Sequence, residues 1–224
     1  IADGHHRYET AINYRDGLLK DGQLAGPDAT PNFVMMHFVG MSDPGLVILP
    51  THRLATGLKA LTFPQLKELL APNFEVEEVG HGTAAAHETW DLIDAHGGQG
   101  ILGFGTKADN TWCLARLTDG SPMKELAPDQ SDDWRGLGVS LLHKLVLEHL
   151  LKPAHVSGPP RCAYVHLVGE VTDAQSKGQC DLACLVPPAQ IEHVEAIAER
   201  LEKMPPKSTY FYPKLQTGLV FNPL

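Results

Sequence analysis

The segment from Trp134 to Leu151 constrains the fold more than any other. Leu137, Leu141 and Leu145 recur at helical spacing, with Leu142 and Val146 beside them, so one helix carries a broad apolar face. That face must be buried against another layer. Pro153 and Gly158-Pro159-Pro160 end the helix. Strands joined by short turns supply the candidate layer. Ile101 to Thr106 and Thr111 to Leu117 flank Ala108-Asp109-Asn110 as an antiparallel pair. Phe33 to Val39 and Leu46 to Leu49 flank Met41-Ser42-Asp43-Pro44-Gly45 and predict a second hairpin. Phe74 to Val79, Ala163 to Val168, Leu182 to Leu185 and a tail from Thr217 to Phe221 read as further strands. Helices are expected over Gly4 to Lys20, Phe63 to Leu70, Thr83 to Ala95, Val171 to Lys177 and Ile191 to Lys203. Hairpins and helices mix without regular βαβ alternation, which predicts an α+β fold.

The chain has 224 residues, 43% of them hydrophobic, enough for a sizeable core. Its net charge is −9, from 18 Lys and Arg against 27 Asp and Glu. Nucleic-acid and anionic-membrane binding need a broad basic footprint, so the balance argues against both. No apolar run approaches the ~20 residues a spanning helix requires. Cys113, Cys162, Cys180 and Cys184 lack zinc-site spacing and do not form a disulfide framework. Cys180 and Cys184 are expected on one face of one strand. Buried, reduced thiols fit a cytoplasmic protein. His81, His87 and His96 lack metal-ligand spacing, so no metal site is expected from the side chains alone.

Ile1-Ala2-Asp3-Gly4-His5-His6-Arg7 reads as the end of a strand, a tight Asp-Gly turn and the first turn of a helix. The chain opens without Met and inside this motif, so it is read as the C-terminal portion of a longer protein. A helix start offers unpaired N–H groups and a positive dipole end, which suit a phosphate. Gly4 lets the backbone approach the anion. His5, His6 and Arg7 add two titratable imidazoles and one permanent cation.

Two further segments carry candidate phosphate ligands. Pro50-Thr51-His52-Arg53 sits where a strand meets a loop, so His52 and Arg53 are expected to project into a cleft; the alternative is a solvated loop with an Arg ion pair. Met204 to Lys214 offers Lys207, Ser208, Thr209 and Lys214 as phosphate donors, with Tyr210, Phe211 and Tyr212 available to stack on a base. The alternative there is a proline-framed connector whose aromatics plug the core. His37 faces either a pocket or the core. His143 and His149 lie six apart on the Leu-rich helix and read as structural or solvent-facing. Glu170 reads as a surface carboxylate or a pocket one.

Asp3-Gly4-His5-His6-Arg7 resembles the signature turn of the ParB and sulfiredoxin superfamily, and within it the free serine kinases. The whole chain resembles the C-terminal half of a large uncharacterised bacterial family, sometimes labelled ParB-like or SpoOJ-like. Ile1 to Tyr14, Met35 to Leu54, Met204 to Leu219 and the helix Gly136 to Leu150 carry that likeness. The resemblance implies that Gly4, His5, His6 and Arg7 hold the transferring phosphate. His6 and Asp3 are then the catalytic candidates, with ATP or ADP and Mg²⁺ as cofactors. In the serine kinases the base lies on an earlier segment, outside this chain. Residues 1–60 are expected to be the C-terminal part of a phosphate-binding domain, and 61–224 a second α+β domain. The sulfiredoxin cysteine is replaced by His5, and no helix-turn-helix with basic flanks is found, which argues against sulfiredoxin chemistry and DNA clamping. The implied activity is a nucleotide-dependent phosphotransferase acting on a small hydroxyl metabolite, with free serine or phosphoserine foremost. A ParB-like nucleotide-binding regulator without turnover and a phosphate-ester hydrolase are the alternatives. Oligomeric state stays open.

Overall fold

Strands buried on both faces, rather than the Leu-rich stretch alone, organise the core. The computed structural model describes residues 1–216, 218, 220 and 221. Its elements are α1 (His5–Lys20), β1 (Val47–Leu49), β2 (His52–Thr56), α2 (Phe63–Leu70), β3 (Phe74–His81), α3 (Gly82–His96), β4 (Ile101–Thr106) and β5 (Thr111–Leu117). There follow α4 (Met123–Leu126), α5 (Asp132–Gly136), α6 (Gly138–Ser140), a π-helix (Leu141–Leu150), β6 (Arg161–Val165), α7 (Val168–Ser176), β7 (Leu182–Leu185), α8 (Ile191–Glu199) and β8 (Tyr210–Tyr212). The fold is α+β. Its contacts form two compact units: Ile1–Val47 with Phe211–Leu224, and Ile48–Tyr210.

In the larger unit six strands form one sheet in the order β3-β5-β4-β7-β2-β6, every neighbouring pair antiparallel. Successive side chains point to opposite faces. Leu102, Phe104, Cys113 and Ala115 face one layer, with α2 and the π-helix packed there. Ile101, Trp112, Leu114 and Leu185 face the other, under α3 and α7. Glycine admits this packing where the layers approach closely. A Cβ on Gly103 would lie 2.7 Å from Thr89 Cγ2 of α3, and one on Gly105 2.6 Å from the Trp112 ring.

The β4–β5 hairpin, β3, β7, α2 and α3 lie where their sequence patterns place them, within a few residues. The Leu-rich stretch does not form one continuous helix. Leu137 is extended, at φ −65 and ψ 137, and separates α5 from α6. Gly138 is pressed against the loop after α3: a Cβ there would meet the Gln99 carbonyl and Pro187 Cγ at 3.0 Å each. Gln99 Oε1 accepts the Gly138 N–H at 3.0 Å. Beyond Ser140 the winding is π-helical, closing with a bond from Leu151 N–H to the Val146 carbonyl at 2.8 Å.

Two expected strand features are overturned. Phe33 to Val39 is not a strand, and the hairpin with Leu46 to Leu49 does not form, because β1 and β8 make a separate two-stranded sheet. The segment instead has no regular secondary structure, with Met35 and Phe38 69% and 86% exposed. Cys180 and Cys184 do not share a face. Cys180 precedes β7 and packs with α3 and α7, while Cys184 faces α2 and the π-helix. All four cysteines are free thiols. The expected tail strand from Thr217 to Phe221 includes Thr217 and Leu219, which lie outside the described residues. No described helix is long and apolar enough to cross a membrane.

Candidate functional site

The sequence-assigned residues fall into two clusters, one in each unit. In the smaller unit, Gly4 adopts φ +81 and starts the 16-residue α1, so the Asp-Gly turn and helix start are as the sequence implied. Among backbone bonds within this turn the first runs from Tyr8 N–H to the Gly4 carbonyl at 3.0 Å. The N–H groups of His5, His6 and Arg7 therefore open the helix without an intrahelical acceptor.

The Arg7 guanidinium folds back over Gly4. A Cβ on Gly4 would meet Arg7 Nη2 at 3.0 Å and Nε at 3.1 Å, so only glycine admits both the φ and this side-chain position. Arg7 Nη2 lies 3.5 Å from Asp3 Oδ2. Lys214 Nζ lies 3.4 Å from the same oxygen. Asp3 thus gathers one cation from its own turn and another from the far end of the chain. The His5 and His6 rings are 4.1 Å apart, and His6 Nδ1 is 3.4 Å from Glu9 Oε2. All of these side chains are open to solvent.

The larger unit holds His52, Arg53, Lys207, Ser208 and Thr209. His52 and Arg53 do not end a strand beside a cleft. They begin β2, an inner strand between β6 and β7, and neither has exposed surface. Strand alternation sends them to opposite faces, so they cannot serve one ligand together. His52 Nδ1 accepts the Val186 N–H at 3.3 Å, which leaves the proton on Nε2. Nε2 is buried without a hydrogen-bond partner among the described residues, and the ring meets Trp90 of α3 edge-on at 4.9 Å. Burial, then the nearby Arg53, holds the His52 imidazole down at about 3, so it is neutral.

On the other face, Arg53 Nε donates to His143 Nε2 at 3.3 Å, and Nη2 donates to the Lys207 carbonyl at 2.7 Å. Its Nη1 donates to the Thr51 carbonyl. The Tyr164 ring lies 5.5 Å from the guanidinium carbon. No described carboxylate forms an ion pair with Arg53. Burial lowers His143 to about 4 and Arg53 to about 10. Lys207 contributes its carbonyl rather than its ammonium, which is exposed. Ser208 is buried with its hydroxyl unpartnered among the described residues, and Thr209 is half-buried. Nearby, His166 Nδ1 donates to the Pro50 carbonyl at 3.1 Å and its ring contacts Tyr210 at 3.9 Å.

His143, read from the sequence as structural or solvent-facing, is a half-buried acceptor for Arg53. A histidine on a Leu-rich stretch gives no sign of an arginine ninety residues away that needs a neutral acceptor. Glu170 caps α7 by accepting the His166 and Leu167 N–H groups, both at 2.9 Å, and those bonds hold its carboxyl below the ordinary range.

A family described as a protein of unknown function, DUF1015, matches residues 1–139. The chain belongs to that family. The match takes in the Asp3–Arg7 turn and Arg53, and ends before His143, Lys207 and Lys214. A conserved hypothetical protein from Pyrococcus furiosus is similar at 16% identity and a TM-score of 0.43, over 94% of this chain and 68% of that one. No curated protein matches.

Proposed function

We propose that the Asp3–Arg7 turn is the phosphate cradle of a nucleotide-dependent phosphotransferase acting on a small hydroxyl metabolite, with free serine or phosphoserine as that metabolite. The observation that carries the reading is the geometry at Gly4. A left-handed glycine opens a long helix, an arginine folds over it, and Lys214 reaches the same carboxylate. Phosphoryl transfer depends mainly on positioning and on stabilising charge, which open N–H groups and two cations supply. A phosphate would compete with Asp3 for Arg7 and Lys214, and so would enter where the cations are already gathered.

In this reading Gly4, His5, His6, Arg7 and Lys214 bind phosphate, and His6 and Asp3 handle the proton. ATP or ADP would be the nucleotide. Mg²⁺ would travel with its phosphates, neutralising their charge. Mg²⁺ takes most of its shell from phosphate oxygens and water, so the nucleotide would carry it without a dedicated set of protein ligands. Four free cysteines favour a reducing compartment such as the cytoplasm.

The test is an assay of the intact protein with serine plus ATP or ADP, and with phosphoserine plus AMP. Transfer in one combination, lost in Arg7→Ala, is the expected result. Absence of transfer from well-folded protein in every combination overturns the assigned substrate. Nucleotide binding that survives Arg7→Ala unchanged overturns the turn as the phosphate site.

A further inference from the structure

Arg53 poses a separate question, because its charge is buried without an answering one. A guanidinium out of water is costly unless an anion or an ample set of acceptors compensates it. Here Thr51, Lys207 and His143 satisfy three of its five N–H donors. All three acceptors are neutral: two are backbone carbonyls, and burial keeps His143 uncharged. Tyr164 adds only a ring face. Ser208, the residue after Lys207, is 4% exposed, and its buried hydroxyl also lacks a partner among the described residues.

We propose that Arg53, together with the Ser208 hydroxyl, is a receptor for an oxyanion group, the carboxylate or phosphate of a small metabolite. The two guanidinium N–H groups without a protein acceptor would bind its oxygens as a fork. Two of the groups against Arg53, Tyr164 and Lys207, have access to solvent. Tyr164 lies on the edge strand β6 and is 40% exposed, and Pro206 and Lys207 form an exposed turn. Lys207 sits at φ +56, in the left-handed region that disfavours side chains. Backbone held in that way concentrates at ligand clamps. This inference stands without the phosphotransferase reading, since every residue in it belongs to the larger unit.

The test uses the full chain carrying Arg7→Ala, so that the Asp3–Arg7 turn cannot supply the response. Inorganic phosphate and, separately, acetate are titrated while the Arg53 Nε–H and His143 ring signals are followed by NMR. Saturable shifts with one of them are expected, and the responding anion identifies the group bound. Arg53→Lys keeps the charge but loses the fork, and should abolish saturation. Should that variant not fold, Ser208→Ala should weaken the affinity about tenfold, the loss of one bond to a charged group. Signals that do not saturate with either anion, or an affinity unchanged in Arg53→Lys or in Ser208→Ala, overturn the proposal.

Discussion

The chain contains two His-Arg pairs in candidate sites, His6-Arg7 and His52-Arg53, and the fold treats them in opposite ways. His6 and Arg7 stand in the first turn of α1, exposed, with Arg7 bound to Asp3 beside it. His52 and Arg53 open an inner strand, fully buried, and point to opposite faces of the sheet. In a helix start, neighbouring residues share the solvent and the dipole end. In a strand they are separated by the backbone itself. A motif of two adjacent residues therefore becomes a site only when its secondary structure is known. The same contrast extends to their surroundings. The larger unit has two apolar layers around its sheet, whereas α1 buries no residue fully.

The largest effect should separate the units by stability. Phe104→Ala, in the centre of the sheet, should cost about 3–5 kcal/mol in urea unfolding. A loss under ~1 kcal/mol would show that the sheet core is not the principal source of stability.

Acid should act next, and through the buried histidines. Folding lowers His52 to about 3 and His143 to about 4, below the unfolded value near 6.5. The unfolded chain then binds more protons, so stability is fully present above pH ~6.5 and is lost as pH falls towards the folded values. Between pH 6.5 and 5, above the carboxylate range, the two together should remove about 2–3 kcal/mol, allowing for the partial exposure of His143. His143→Gln should flatten the slope by about half. A slope unchanged in that variant would assign the effect elsewhere.

Glycine substitution sharpens the comparison further. Gly103→Ala should destabilise the larger unit by about 1–3 kcal/mol, because its Cβ would meet Thr89 and Ile93 of α3 at 2.7 and 3.0 Å. Gly4→Ala should cost about 1 kcal/mol through its positive φ, but should displace Arg7 and so weaken phosphate binding. Arg7→Ala should be the mildest for folding, within about 0.5 kcal/mol, because its side chain is 62% exposed. Calorimetry with ADP and chemical unfolding on the same samples would separate the two effects. Arg7→Ala that unfolds the protein would give the turn a structural role instead.

Much of the fold was legible because it is local. Thr62-Phe63-Pro64-Gln65 starts α2, with Gln65 Oε1 accepting the Thr62 N–H at 3.0 Å. Ala108-Asp109-Asn110 turns β4 into β5, with Asn110 at φ +52. Asp3-Gly4 placed the start of α1 for the same reason: the φ that the turn demands is written in the residue. The break at Leu137 could not be read in that way, since it answers to Gln99 and Pro187, some forty and fifty residues distant. Nor could Phe33 to Val39, whose apolar pattern fits a strand that does not form.

By itself, then, the sequence determined the α+β class, the sheet hairpin and the helix start at Gly4, because periodicity and backbone sterics act over a few residues. Only the tertiary structure decided which cations meet which groups. It brought Lys214 to Asp3, set His143 against Arg53, and divided His52 from its neighbour by a sheet. Those outcomes depend on strand order and face, which no stretch of adjacent residues encodes.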